Sequence, residues 1–340
     1  MSTAIPIVDC QTHVFPDAYA DLLTRAQGGA VRATGGDGVF TLDYHAPNGE
    51  HLQRFALRVE DYSLKRKLAD MNAAGVDMSV LSINLPTPDL LGPELAEEGA
   101  RVANDAVAEL CDRHPDRFVG LAVLPLPNIA AAIAELDRAL DKLDMRGVFL
   151  PSHIAGMPLD DPSLEPFYAH VAARRVPLVL HPTVPTWGNT IRDYAMIPML
   201  GFMVDTSVGM LRLILGGVLE RHPTLQVVHP QAGGVLPYLM GRVEEQTEIK
   251  RRGRDHITRP PGSYYSQVYL DLVSPSALAL DYAYKFAGPE RLLFASDHPW
   301  VDIGLILETV RECNWPDEAL AQILGGNACR LFDIQLSRLI

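Results

Sequence analysis

The chain has 340 residues, 48% hydrophobic and 21% charged, the balance of a soluble globular protein with material for a large core. Its formal net charge of −13, with no long basic run, argues against nucleic acid as the main partner. Cys10, Cys111, Cys313 and Cys329 lack the paired spacing of a zinc ribbon or disulfide framework, which points to a reducing cytoplasm.

The N-terminus, Met-Ser-Thr-Ala-Ile-Pro-Ile-Val-Asp, has neither the basic region nor the apolar core of a signal peptide. Ile5–Cys10 reads as a first strand, followed by Gln11-Thr12-His13-Val14-Phe15-Pro16 and a short helix over Asp17–Ala26. Residues 28–60 carry Gly28-Gly29, Gly35-Gly36 and Gly38 beside the alternating Val39-Phe40-Thr41-Leu42-Asp43-Tyr44. That pattern is a glycine-hinged insertion with a small hairpin, either a lid over the first strand end or surface decoration.

Tyr62, Leu64, Leu68 and Met71 are spaced for an amphipathic helix over Glu60–Ala74 that stops at Gly75. Further strands are predicted at Val76–Leu85, Phe118–Leu124, Gly147–Leu150, Pro177–Leu180, Leu225–Val228, Tyr269–Val273 and Leu292–Ala295. Helices are predicted between them at Pro93–Arg113, Ile129–Leu143, Leu164–Arg174, Ile191–Arg221 and Leu236–Arg251. The most apolar stretch, Met196 to Leu219, contains Asp205, Thr206, Ser207 and Arg212, which is too polar for a membrane span and natural for buried helices. Eight strands alternating with helices predict an α/β fold, a single (β/α)8 TIM barrel with a small insertion after the first strand. A doubly wound sheet would want a glycine-rich phosphate loop after an early strand, and the chain has none.

Chemistry-bearing residues gather at the strand ends. Asp9, Gln11 and His13 alternate along one strand and so share a face, the barrel interior. His181 ends the fifth strand, His229 and Gln231 follow the sixth, and Asp297 and His298 follow the eighth. Each has an ordinary structural explanation alone. Together, imidazoles and a carboxylate converging on one point are typical ligands for Zn²⁺ or another divalent metal.

At these residues the sequence resembles the amidohydrolase superfamily, in the branch of aminocarboxymuconate-semialdehyde decarboxylase and related aromatic-acid decarboxylases. The resemblance runs through Val8-Asp9-Cys10-Gln11-Thr12-His13-Val14-Phe15-Pro16, Leu180-His181-Pro182, Gly233-Gly234-Val235-Leu236-Pro237-Tyr238 and Gly241-Arg242. It continues through Leu293-Phe294-Ala295-Ser296-Asp297-His298-Pro299 to Ile323-Leu324-Gly325-Gly326-Asn327-Ala328-Cys329-Arg330-Leu331-Phe332. It implies that His13, His181 and Asp297 are metal ligands, with Gln11 where the family carries another ligand histidine. It also implies that Gln231 stands where the family carries an acid–base histidine, and that Arg242 reaches a neighbouring subunit's substrate in a homodimer.

The two glutamines depart from that pattern, since glutamine is a weaker Zn²⁺ ligand than imidazole and cannot shuttle protons. Three readings follow: a retained but weakened metal site, His229 serving as the missing base, or a metal-free cluster of His13, His181, His229 and Asp297. The retained site is the expectation adopted. The resemblance further implies a small carboxylated ring or muconate-like acid as substrate. Arg54, Arg58, Arg192 and Arg242 are the candidates for its carboxylate, with Gln231 and His298 beside it and Trp187 and Trp300 walling the ring. The implied reaction is nonoxidative decarboxylation, with Asp297, His229 and His181 carrying it. The alternatives are hydrolysis or hydration of a small cyclic, amide or ester substrate, and a small-acid-binding barrel with weakened turnover.

Overall fold

A computed structural model describes residues 5–26, 30–46 and 48–335. Met1-Ser2-Thr3-Ala4 and the Gly28-Gly29 hinge lie outside the described residues. The first strand, β1 (Val8–Val14), is buried at all seven positions, as a strand inside a parallel sheet must be. It begins and ends later than the sequence pattern implied. His13 and Val14 still pair with Ser82 and Ile83, so the polar Gln11-Thr12-His13 belongs to the strand and not to a loop.

The insertion holds β2 (Val31–Gly36), β3 (Val39–His45) and β4 (His51–Arg58). These form a three-stranded antiparallel sheet in the order β2-β3-β4, one strand more than the expected hairpin. The period-2 pattern that announced β3 buries Phe40, Leu42 and Tyr44 on one face. β4 escaped notice because Gln53 and Arg54 interrupt its apolar residues.

The remaining strands are β5 (Met78–Ile83), β6 (Phe118–Gly120), β7 (Val148–Pro151), β8 (Leu178–His181), β9 (Val227–His229), β10 (Val268–Asp271) and β11 (Leu292–Leu293). They pair in parallel as β1-β5-β6 and as β7-β8-β9-β10-β11. Two seams join these sheets. Phe149 N donates to Ala122 O at 2.8 Å on one side, and Cys10 N donates to Phe294 O at 3.0 Å on the other. Each parallel crossover except β10 to β11 spans more than twenty residues, room for the covering helices. With β1 and the seven strands after the insertion, the expected eight-stranded α/β barrel architecture results.

The helices start and stop where local chemistry allows. Ser63 caps Leu64–Ala74 by accepting from Arg66 N at 3.2 Å, and Gly75 ends it at φ +74°. The expected continuous helix over Ile191–Arg221 is instead several segments, the longest Phe202–Leu215. Gly217 breaks it at φ +75°, where a Cβ would lie 2.5 Å from His256 O. Asp193–Leu215 is long and apolar enough to cross a membrane by length and composition, and half of its most apolar window is buried within the protein, Asp205 among it.

Gly234, after β9, sits at φ +58° and ψ −121°, and a Cβ there would meet Ser207 Oγ at 2.4 Å and Met203 O at 2.5 Å. Gly234→Ala therefore forces both backbone strain and a clash. We expect it to destabilise the fold by about 3 kcal/mol, read as a lower denaturant midpoint at an unchanged slope. A midpoint equal to that of the unaltered protein contradicts this.

Candidate active site at the strand ends

Four side chains from three barrel elements converge at the C-terminal side of the strands. His13 Nε2 lies 2.9 Å from Asp297 Oδ1 and 3.2 Å from His181 Nε2. Gln11 Nε2 lies 3.3 Å from the same Asp297 oxygen. The alternation of β1 aims Gln11 and His13 the same way, while Asp297 N donates to Gln11 O at 2.9 Å and ties the two strand ends together. Asp297 itself stands at φ +64°, a left-handed conformation that aspartate tolerates better than most residues.

The hydrogen-bond partners set the tautomers. His181 Nδ1 faces Pro182 O at 2.8 Å, which only accepts, so its proton is on Nδ1 and Nε2 presents a lone pair. Burial, and His13 alongside, hold the His181 imidazole well below its usual pKa and therefore neutral. Ser82 Oγ lies 2.9 Å from His13 Nδ1 and 3.5 Å from Thr12 O. Donating to that carbonyl, it accepts from Nδ1 and leaves the His13 Nε2 lone pair facing inward.

Two imidazole lone pairs and a carboxylate oxygen then meet within 4.8 Å of one another. The Gln11 Oε1 beside them is buried without a partner among the described residues. This donor set fits a divalent cation. His13, His181 and Asp297 would hold it, with Gln11 available as a carbonyl donor.

A buried network supports the loop that carries Asp297. Asp9 accepts from Ser296 N at 2.9 Å and from Ser296 Oγ at 2.5 Å. Burial raises its carboxyl to about 6, with the Ser296 bonds pulling the other way. Lys67 Nζ donates to His298 Nδ1 at 3.0 Å, and His298 Nε2 then donates to Asp70 Oδ2 at 3.0 Å. Burial brings the Lys67 ammonium down to about 8, against the pull of Asp9 and Asp70. Burial and Lys67 bring His298 down to about 4. Opposite, Asp271 accepts from Gln231 N at 2.7 Å and Val273 N at 3.2 Å, and its burial raises it to about 7.

Asp9→Ala leaves the Ser296 amide and hydroxyl buried without their acceptor and strips Lys67 of an opposing charge. The expected cost is about 3 kcal/mol. Urea unfolding of this variant measures it, and a loss below about 1 kcal/mol would show that the network contributes little.

Above the cluster opens a cavity of about 950 Å³. His181, Gln231 and Asp297 line it, and so do Leu42, Tyr44, Gln53 and Phe55 of the inserted sheet. The insertion is thus a wall of the cavity. Phe55 stacks on Phe202 at 6.2 Å between ring centroids and meets Trp300 edge-on at 5.8 Å, which brings three separate elements into one aromatic seam.

Several expected site residues lie elsewhere. His229 is buried outside the lining, 3.2 Å from Tyr265 Oη, and burial takes it down to about 3, so it cannot serve the cavity as a base. His298 faces Lys67 and Asp70 behind the wall, not the substrate space. Arg54 is 66% exposed and bound to Asp43, and Arg242 is 67% exposed and bound to Glu245. Arg58 pairs with Asp61 and Arg192 with Glu50. None of the four arginines lines the cavity, because each finds a nearby acid first. Trp187 is half-buried outside the lining, whereas Trp300 is part of it.

Lys67, Asp70, Ser82 and Asp271 were missed. Lys67 carried a signal, since Leu64, Lys67, Leu68 and Met71 form one helical stripe with a lysine in it. Asp271 likewise sits within an otherwise apolar strand.

Residues 8–334 match the amidohydrolase family. The chain belongs to that family. A gamma-resorcylate decarboxylase from Rhizobium radiobacter is 30% identical over 311 residues, covering 84% of this amidohydrolase and 90% of the relative. A 2-amino-3-carboxymuconate-6-semialdehyde decarboxylase from Dictyostelium discoideum is 25% identical over 339 residues, covering 94% and 90%. The crystal structure of 5-carboxyvanillate decarboxylase from Sphingomonas paucimobilis superposes with a TM-score of 0.86 at 25% identity, covering 98% of this chain and 100% of that one. A dihydroxybenzoic acid decarboxylase from Polaromonas sp. JS666, with bound manganese and 2-nitroresorcinol, shares the fold at a TM-score of 0.80 and 23% identity, covering 97% of each chain. The barrel expected from strand counting is the fold of these neighbours. The divalent metal expected from the strand-end ligands fits the His13–His181–Asp297 geometry.

Proposed function

We propose that this amidohydrolase is a nonoxidative decarboxylase of aromatic carboxylic acids. The observation that carries the reading is the position of Asp297. It is the one carboxylate among the described residues lining the cavity, and it stands beside two inward-facing imidazoles. The relatives named above, decarboxylases by name, support the same reaction class.

The ring enters with its carboxylate towards His13, His181 and Asp297. When bound, a divalent cation supplies Lewis acidity and positive charge at that end. Mn²⁺ suits the donor set better than Zn²⁺, because Gln11 adds a carbonyl oxygen where an imidazole would favour zinc. Asp297 relays a proton to the ring carbon bearing the carboxylate. As that carbon is protonated, its bond to the carboxylate breaks, the electron pair returns to the ring and carbon dioxide leaves. His181, held neutral by burial and its bond to Pro182, orients and does not relay protons.

The reading includes a homodimer, in which Arg242, exposed on its own subunit, serves the other, and residence in a reducing cytoplasm with four free cysteines. Light scattering of the purified protein tests the dimer. For the reaction, carbon dioxide release from a panel of hydroxybenzoic acids is the direct measure. Hydrolysis of lactone or amide analogues with no gas release from any acid would overturn it.

A further inference from the structure

The cavity has room for more than a bare hydroxybenzoate. At about 950 Å³ it stands near the top of the range of sites that enclose drug-sized ligands, roughly 300–1,000 Å³. The one carboxylate among the described lining residues is Asp297, which with His181 marks the reacting, polar end, whereas the other polar lining groups, among them Gln53, Asn84 and Ser276, are neutral. Apolar side chains, including Phe55, Phe202, Met203, Val273 and Trp300, make up most of the lining, and Leu278, which also lines it, is 82% exposed. No lysine or arginine lines any part of it among the described residues. A second charged group placed away from the Asp297 end would be desolvated with no counter-charge from this chain.

Resting on the decarboxylase reading, we infer that the substrate is an aromatic acid bearing an extended apolar substituent, an alkyl chain or second ring, which lies along the Phe55–Phe202–Trp300 seam. The reacting ring occupies the polar end. The substituent runs from there towards Leu278 and covers aromatic faces that the ring alone leaves wet. Each buried methylene contributes about fourfold in affinity, the equivalent of about 0.8 kcal/mol.

The test uses the metal-replete full-length protein and 2-hydroxybenzoic acids carrying hydrogen, methyl, propyl, pentyl or phenyl on the ring. Carbon dioxide release gives kcat/KM. Calorimetry with the matching nitro compounds, which have no carboxylate to lose, gives Kd separately. Pentyl in place of methyl is expected to improve both on the order of a hundredfold. Leu278→Asp, on an exposed side chain that leaves folding intact, is expected to cut the pentyl-to-methyl ratio at least tenfold, and Phe202→Ala to cut it as well. Equal kcat/KM and Kd across the series overturn the inference while the decarboxylase reading stands. Nitro compounds that bind more tightly with length, with no acid releasing gas, keep the apolar subsite and overturn the reaction. Binding of none of the nitro compounds overturns the inference.

Discussion

Asp297→Asn is expected to lower kcat for decarboxylation by at least about 10³-fold, the scale of a lost general acid, with the fold intact. The amide keeps the size and the left-handed backbone that position 297 requires, since asparagine tolerates it as readily as aspartate. It can still lie near His13 Nε2, but it carries no acidic proton and no negative charge. The loss should fall on kcat more than on binding of the nitro compounds, because the apolar wall is untouched. Thermal unfolding monitored by circular dichroism separates this from misfolding, and elemental analysis of the variant separates loss of the acid from loss of the metal that Asp297 helps to hold. A variant retaining more than about a tenth of wild-type kcat would mean that another group delivers the proton.

Removal of the divalent metal is the second large effect. Prolonged dialysis against a chelator is expected to abolish turnover, and stoichiometric Mn²⁺ to restore it. Native protein purified without chelator should carry about one divalent ion per chain by elemental analysis, and His13→Ala far less. Because the ion binds the folded chain and not the unfolded one, its loss also lowers stability, by about 4 kcal/mol where the free metal stands at a thousand times Kd. His13 and His181 each lose an inward lone-pair partner when the site empties, while their outward bonds to Ser82 and Pro182 hold the rings in place. The apo protein should therefore remain folded with a lower melting temperature. Full turnover by protein free of divalent metal would refute the metal-assisted reading.

Much of this was legible in the sequence, for identifiable reasons. The apolar runs of a parallel barrel are short and bounded, so Leu178–His181 and the Leu292–Asp297 region declared themselves as strand ends. Polar residues there had few places to point except inward. That is why the sequence alone points to His13, His181, Gln11 and Asp297 as site residues. The arginines were not legible, because a guanidinium reaches far and takes the nearest acid. Arg54 meets Asp43 only because β3 and β4 pair, a contact spanning eleven residues of chain. His229 looked available because alternation put it in phase with Gln231. The Pro230-Gln231-Ala232 turn, with Gln231 and Ala232 both at positive φ, breaks that phase and sends the two side chains to different places. Lys67 is inconspicuous in the sequence, since lysine in an amphipathic helix is usually solvated.

The inserted sheet of β2, β3 and β4 enters and leaves the barrel through a single excursion between β1 and the helix at Leu64–Ala74. It supplies Leu42, Tyr44 and Phe55 to the cavity and no member of the His13–His181–Asp297 cluster. The insertion therefore contributes to recognition alone, while Phe202, Leu278 and Trp300 complete the apolar wall from the barrel. Exchanging residues 30–58 between members of the family would reshape one wall of the cavity and shift substrate preference, leaving the reacting end of the barrel unaltered.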